Sequence, residues 1–135
     1  MQKKIQQLLA MAVATKDKAY APYSKYHVGA AICAKSGKIY TACNVENMSF
    51  PCGTCAEAGA IAAMVAGGDN GIDAILIVAD GAELVYPCGA CLQRIAEFAT
   101  PQTTVYLATE TEICKTYQLK ELLPYNFVAK ELKDD

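Results

Sequence analysis

Two short cysteine motifs, Cys55-Ala-Glu57 and Pro87-Cys88-Gly-Ala-Cys91, constrain this chain more than any other feature. Three thiolates can hold one zinc ion only if the fold carries both motifs to one point, across the 32 residues between Cys55 and Cys88. A three-thiolate site leaves the fourth tetrahedral position open, which is the pattern of catalytic and not of structural zinc. A glutamate two residues after the first thiolate then stands where it can move protons. One alternative stays open, because Cys52-Gly-Thr-Cys55 is itself a C-x-x-C. Paired with Cys88 and Cys91 it would close a four-cysteine site in a non-catalytic structural zinc protein. Such pairs usually lie about 15–20 residues apart, and the closed site gives Glu57 no task.

The bulk composition narrows the classes. The chain has 135 residues, the size of one domain, and 53% of them are hydrophobic, enough for a core. We therefore expect a single catalytic domain over residues 1–135. The longest apolar runs, such as Ala74–Ala79, are far too short to span a bilayer. The lysine-bearing N-terminus reads as an amphipathic helix without the continuous apolar region of a signal peptide. No membrane partner is expected, and a cytoplasmic location is. Net charge is −2 and Arg94 is the only arginine, with no basic stripe to meet a nucleic acid. Seven cysteines, an odd number, suit metal ligation in a reducing compartment better than disulfides. Cys33, Cys43 and Cys114 lie in strand-like segments and are expected to be small buried hydrophobes.

Periodicity gives the element order. Ile5, Leu8, Leu9, Ala12 and Val13 recur at helical spacing, which predicts a helix over 3–18. Val28–Ala34 and Lys38–Val45 read as a hairpin about Ser36-Gly37. A loop over 51–54 leads into an alanine-rich helix, Cys55–Ala66, stopped by Gly67-Gly68. A strand over Ile72–Ala79, a helix over Ala90–Phe98 and a strand over Thr103–Ala108 follow. A fifth strand at Ile113–Tyr117, a helical turn at Leu119–Leu123 and a final turn or helix at Phe127–Leu132 complete the chain. Strands alternating with helices argue for an α/β fold in layers around one mixed sheet.

This order sets Cys55 at the start of one helix and Cys88 and Cys91 at the start of another. Helix N-termini carry free N–H groups and a partial positive charge. Both lower thiol pKa and favour thiolate ligation. Residues 55 and 57 stand about 200° apart around a helix axis, yet in a first turn both can reach one point beyond the helix end.

Taken together, the motifs resemble those of the cytidine deaminases, specifically the small homotetrameric kind with three cysteine ligands. A three-cysteine zinc site with a non-ligating glutamate is a known signature of zinc deaminases. The likeness runs over most of the chain. It includes Ala21-Pro-Tyr-Ser-Lys-Tyr-His-Val-Gly-Ala-Ala31, Asn44-Val-Glu46-Asn47, both metal motifs with Gln93, and Glu121-Leu-Leu-Pro124 with Phe127. The resemblance implies a three-layer α/β/α sandwich around a five-stranded mixed sheet. It implies zinc held by Cys55, Cys88 and Cys91, with Glu57 as the proton shuttle. Asn44 and Glu46 would hold the ribose hydroxyls, and Tyr26 and Phe127 would contact the base, Phe127 often from a neighbouring subunit. The implied partner is a small pyrimidine nucleoside, cytidine or deoxycytidine, and the implied assembly a homotetramer. The implied process is pyrimidine salvage.

The chain departs from the family pattern at two places. Ala58-Gly59 follows Glu57, and Leu92 follows Cys91, where the family carries arginines. Three thiolates leave a zinc site with net charge −1, and donors behind the sulfurs would offset it. Gln93 and Arg94 are the candidates to stand behind the ligands; Arg94, at Cys91+3, either folds back one turn toward the sulfur or is a solvated surface arginine. Ala58, Gly59 and Leu92 also suggest more room where the leaving amine would sit. That opens a variant substrate class, N4- or otherwise substituted cytosine nucleosides or a blasticidin-type nucleoside.

Overall fold

The computed structural model describes residues 2–129 and 132. Its elements are α1 (Gln2–Lys16), β1 (Val28–Ala34), β2 (Ile39–Cys43), α2 (Ala56–Ala66), β3 (Ile72–Ala79), α3 (Gly89–Glu97), β4 (Thr104–Ala108), β5 (Ile113–Gln118) and α4 (Leu119–Leu122). The order matches that read from periodicity. A short 3-10 turn at Phe50–Cys52 falls where a plain loop was expected. The expected turn over 127–132 includes residues 130 and 131, which lie outside the described residues.

The five strands form one mixed sheet in the order β2-β1-β3-β4-β5. β1 runs antiparallel to both β2 and β3, β4 lies parallel to β3, and β5 is antiparallel to β4. A parallel pair needs a crossover, and α3 makes it. The central strands are buried on both faces, so VGAAICA and IDAILIVA are near-continuous apolar runs without strict alternation.

The two faces carry separate cores. Ala30, Ile32, Ile75, Ile77, Val105 and Leu107 meet Ala60 and Met64 of α2 and Ile95 of α3. On the other face Ala31, Cys33, Leu76 and Val78 meet Leu8, Leu9 and Ala12 of α1. Alternate residues of one strand thus serve opposite layers, and the result is a three-layer sandwich. Packing on the α1 side is tight enough to require glycine. A Cβ on Gly29 would lie 2.3 Å from the Ala12 carbonyl oxygen and 2.9 Å from Lys16 Cβ.

Of the three cysteines expected in the interior, only Cys33 is fully buried. Cys43 is half-buried and Cys114 is exposed. β5 is the last strand of the sheet, and most of its side chains face solvent. Cys114 is therefore a surface residue. All seven cysteines are free of disulfides.

Candidate active site

Residues 80–88 connect the carboxyl end of β3 to α3, and this end of the sheet is where ligands bind in open α/β folds. Cys55 is the N-cap of α2 and Cys88 the N-cap of α3, both with extended backbone. Cys91 lies in the first turn of α3. The two helices deliver the Cys55 and Cys91 sulfurs to within 2.8 Å of each other. Glu57 joins them, and the ligand atoms of Cys55, Glu57 and Cys91 all lie within 4.8 Å of one another. Glu57 is 4% exposed and Cys91 2% exposed. Because Cys55 caps its helix from outside the first turn, the helical azimuth does not separate it from Glu57.

The cluster is electrostatically coupled. A hydrogen bond from the Cys91 thiol lowers the Cys55 thiol to about 5, and the Ala58 amide and Arg94 charge help. The same hydrogen bond, with burial, pushes the Cys91 thiol up. Burial pushes the Glu57 carboxyl above the ordinary carboxylate range, and the negative charge of Cys55 adds to the effect. Arg94 does fold back. Its Nη1 lies 3.7 Å from the Cys91 sulfur and 3.8 Å from the Cys55 sulfur.

Buried sulfurs at two helix N-termini, with a guanidinium behind them, are the donor chemistry that zinc takes. The Cys88 thiol lies outside the tight cluster and is exposed at the N-cap position, three residues before Cys91. Positions three apart share a helix face. Cys52 is not drawn in at all. Its exposed thiol donates to Ser49 Oγ at 3.5 Å, so the closed four-cysteine site is not the one the fold assembles.

Next to the start of α2 opens a cavity of about 540 Å³, lined by Tyr23, Ser24, Asn44, Glu46, Phe50 and Thr54 among others; Cys55, Glu57 and Cys91 are not in its wall, and Thr54 is the link between the two. That is within the ordinary size of a small-molecule site. Backbone bonds lace three segments together around it. Val45 and Thr54 exchange N–H to carbonyl bonds at 2.9 and 2.8 Å. The Tyr20 amide donates to the Asn44 carbonyl at 3.1 Å, and the Glu46 amide to the Tyr20 carbonyl at 2.8 Å. Thr54 precedes Cys55, so Asn44 and Glu46 are fixed next to the metal motif.

Both polar side chains are partly engaged. Asn44 Oδ1 accepts from the Val28 amide and Nδ2 donates to the Tyr26 carbonyl, each at 2.9 Å. An amide has two donors and two lone pairs, so one of each remains. Glu46 accepts from the amides of Tyr23 and Ser24 at 3.1 Å and from the Ser24 hydroxyl. The Ser24 hydroxyl holds its carboxyl below the ordinary range, and of roughly four acceptor positions one stays open.

Tyr26 and Phe127 are not part of this cavity wall. Tyr26 lies just outside it, 38% exposed. Phe127 stands over α3 and is 75% exposed. Gln93 does not touch the sulfurs. Its amide donates to the Phe127 carbonyl and accepts from the Phe127 N–H, both at 3.0 Å. The expected enlargement of the amine side also changes. Leu92 is buried in the core, and a Cβ on Gly59 would meet Ala42 Cβ at 2.9 Å, so both face the sheet. Of the three, only Ala58 lines a groove, shared with Arg94.

Ser24 and Tyr23, which hold Glu46, have no role in the motif reading. A hydroxyl in a Pro-Tyr-Ser turn is a weak local signal, visible only in the tendency of Ser to bond backbone two residues on. Ser24 does this too, accepting from the Tyr26 amide at 3.0 Å.

The comparisons agree with this geometry. Residues 2–108 match the family model for the cytidine and deoxycytidylate deaminase zinc-binding region. A cytidine deaminase from Sporosarcina psychrophila is 38% identical over 95% of this chain and 94% of its own. One from Halalkalibacterium halodurans is 37% identical over 96% and 98%. The crystal structure of cytidine deaminase from Burkholderia pseudomallei superposes with a TM-score of 0.84 at 36% identity, covering 90% of this chain and 98% of that one. With its five-stranded mixed sheet, its paired cysteine motifs and these relatives, the chain belongs to the cytidine deaminase family.

Proposed function

We propose that the chain hydrolyses cytidine and deoxycytidine to uridine and deoxyuridine, releasing ammonia. The observation that carries this is the buried Glu57 set against two facing thiols, beside a cavity that holds Asn44 and Glu46. Cys55, Cys88 and Cys91 would hold zinc, the Cys88 thiol being exposed at the N-cap of α3, three residues before Cys91. When bound, the zinc ion supplies a water acidic enough to lose a proton near neutral pH.

Glu57 does the proton work. It takes a proton from the water that adds to C4 of the cytosine ring and delivers one to N3. It then takes the remaining proton from the C4 hydroxyl and hands it to the amine, so the C4 carbonyl forms as the C–N bond breaks, water is consumed and ammonia leaves. Its raised pKa suits a group that must both accept and donate. The free acceptor of Glu46 and the free amide positions of Asn44 take the ribose hydroxyls. Tyr26 flanks the base, and Phe127 of a neighbouring copy stacks on it.

The assembly is a homotetramer. Met48 (81%), Phe50 (79%), Tyr125 (91%) and Phe127 (75%) are exposed large apolar side chains, which interfaces between copies would cover. The enzyme serves pyrimidine salvage in the cytoplasm, a setting consistent with seven free cysteines. No helix among the described residues is long and apolar enough to cross a membrane.

The test is ammonia release by the zinc-loaded protein from cytidine, deoxycytidine, N4-methylcytidine and free cytosine, with Glu57→Gln as control. The nucleosides should react and cytosine should lag by roughly tenfold or more, since charge-assisted sugar bonds are lost. Glu57→Gln should keep zinc and lose about 10²–10⁴-fold in turnover. Equal rates on cytosine and cytidine overturn the nucleoside assignment.

A further inference from the structure

We propose that Gln93 is a positioning residue that holds the Phe127 ring outward for the site of another copy. The proposal rests on the reading that Phe127 contacts the nucleoside base of a neighbouring subunit. Phe127 stands beyond α4, in a stretch, residues 126–129, without regular secondary structure. The Gln93 amide holds its backbone. Its Nδ-equivalent donor, Nε2, gives a hydrogen bond to the Phe127 carbonyl, and its Oε1 receives one from the Phe127 N–H, each at 3.0 Å.

Two antiparallel bonds from one planar amide fix the rotation of a residue's backbone and not only its distance. The Phe127 ring is then left 75% exposed, directed by its backbone and not packed into its own chain. An exposed phenylalanine held by its backbone is presented rather than buried. Gln93 follows Cys91 by two residues on α3, so the helix that carries a metal ligand for one site also carries the holder of the aromatic for another. Glutamine suits the task because it offers one donor and one acceptor on a rigid plane.

The test uses the full zinc-loaded chain with Gln93→Met, Phe127→Ala and the double variant. Methionine keeps the length of the side chain and removes both hydrogen bonds. Gln93→Met should speed amide hydrogen exchange at Phe127 and leave zinc content unchanged. It should raise KM for cytidine about tenfold with kcat nearly constant, the pattern of lost binding without lost chemistry. In the Phe127→Ala background it should add nothing, because Gln93 acts through that ring. Gln93→Glu, which keeps the acceptor and loses the donor, should fall between wild type and Gln93→Met. If Phe127→Ala raises KM and Gln93→Met does not, or if the two penalties add, the positioning role of Gln93 is wrong. If Phe127→Ala itself leaves KM unchanged while cytidine still reacts, the base contact of Phe127 is wrong and the proposal falls with it.

Discussion

The sulfurs of Cys55 and Cys91 lie 2.8 Å apart although they start two different helices. At that separation they behave as one acid, with a thiolate on Cys55 stabilised by the thiol of Cys91. A cation bound there would take the place of that proton, which is why the pair is the core of the proposed zinc site.

Metal content follows from which thiols are gathered. Cys91→Ser and Cys55→Ser should abolish stoichiometric zinc, and Cys88→Ser should weaken it sharply. Cys52→Ala should retain one zinc per chain, since that thiol is exposed and bonded to Ser49. Elemental analysis of the four proteins decides the matter, and loss of zinc in Cys52→Ala would restore the closed four-cysteine site.

Arg94 supplies positive charge to the sulfurs where the family's two arginines are missing. It reaches both sulfurs from α3, while the position after Glu57 is alanine. Removing a group that supports ligands from behind typically costs about 10–100-fold in metal affinity. Arg94→Gln should therefore release zinc to a competing chelator about 10–100-fold more readily. Arg94→Lys should recover only part of the loss, because an ammonium on a shorter stem keeps the charge but does not place it where Nη1 meets both sulfurs. An unchanged chelator midpoint in Arg94→Gln would make the arginine a bystander.

Glu46 is held by the Tyr23-Ser24 turn of the Ala21–Ala31 segment, residues to which the motif reading gives no role. Ser24 gives it a hydroxyl and an amide hydrogen bond, and Tyr23 an amide. Ser24→Ala removes the hydroxyl bond to the Glu46 carboxylate. The carboxylate then gains freedom to turn from the sugar. KM for cytidine should rise about tenfold, while the rate on free cytosine, which has no sugar to hold, should stay put. Steady-state kinetics on both substrates checks this, and an equal loss on each would point to general damage.

Much of this was legible in the sequence, and the exceptions have physical reasons. The two helix starts, the order of elements along the chain and the approach of Glu57 to the thiols follow from spacing and periodicity, whereas the strand order in the sheet does not. Arg94 was legible because three residues along a helix is one turn. Cys114 was misjudged because an edge strand has a solvent face that its own apolar neighbours do not reveal. Leu92 and Gly59 were misjudged because motif spacing says which residues are near a site, not which way a helix turns them. The Gln93–Phe127 pair spans 34 residues and joins a helix to a non-helical segment, so no local pattern announces it. Lys16 was invisible for the same reason, a lysine in an amphipathic helix being ordinarily solvated.

Lys16 is in fact 2% exposed, under the end of the sheet. Its ammonium donates to Asp80 at 2.8 Å and to Glu110 at 2.6 Å. Burial works against its charge, but the hydrogen bonds and charges of Asp80 and Glu110 outweigh that and raise its pKa above the ordinary lysine value. Asp80 is held well below the ordinary carboxylate range, first by the Lys16 hydrogen bond and then by His27, whose backbone amide donates to it at 2.9 Å. Asp80→Asn leaves the buried ammonium with one carboxylate fewer. The loss should be about 2 kcal/mol, below the 3–5 of a wholly buried pair, because Asp80 is partly exposed and Glu110 remains. The sign with pH follows from the depressed carboxyl. Its contribution is present above the unfolded aspartate value, about 3.9, and is lost as pH falls through the lower folded value. The stability gap between wild type and Asp80→Asn should therefore hold steady between neutral pH and about pH 5 and shrink steadily in stronger acid. Urea unfolding of both proteins at a series of pH values measures it. A gap that persists undiminished at the acid end would mean that Asp80 contributes by packing or neutral hydrogen bonding and not by its charge on Lys16.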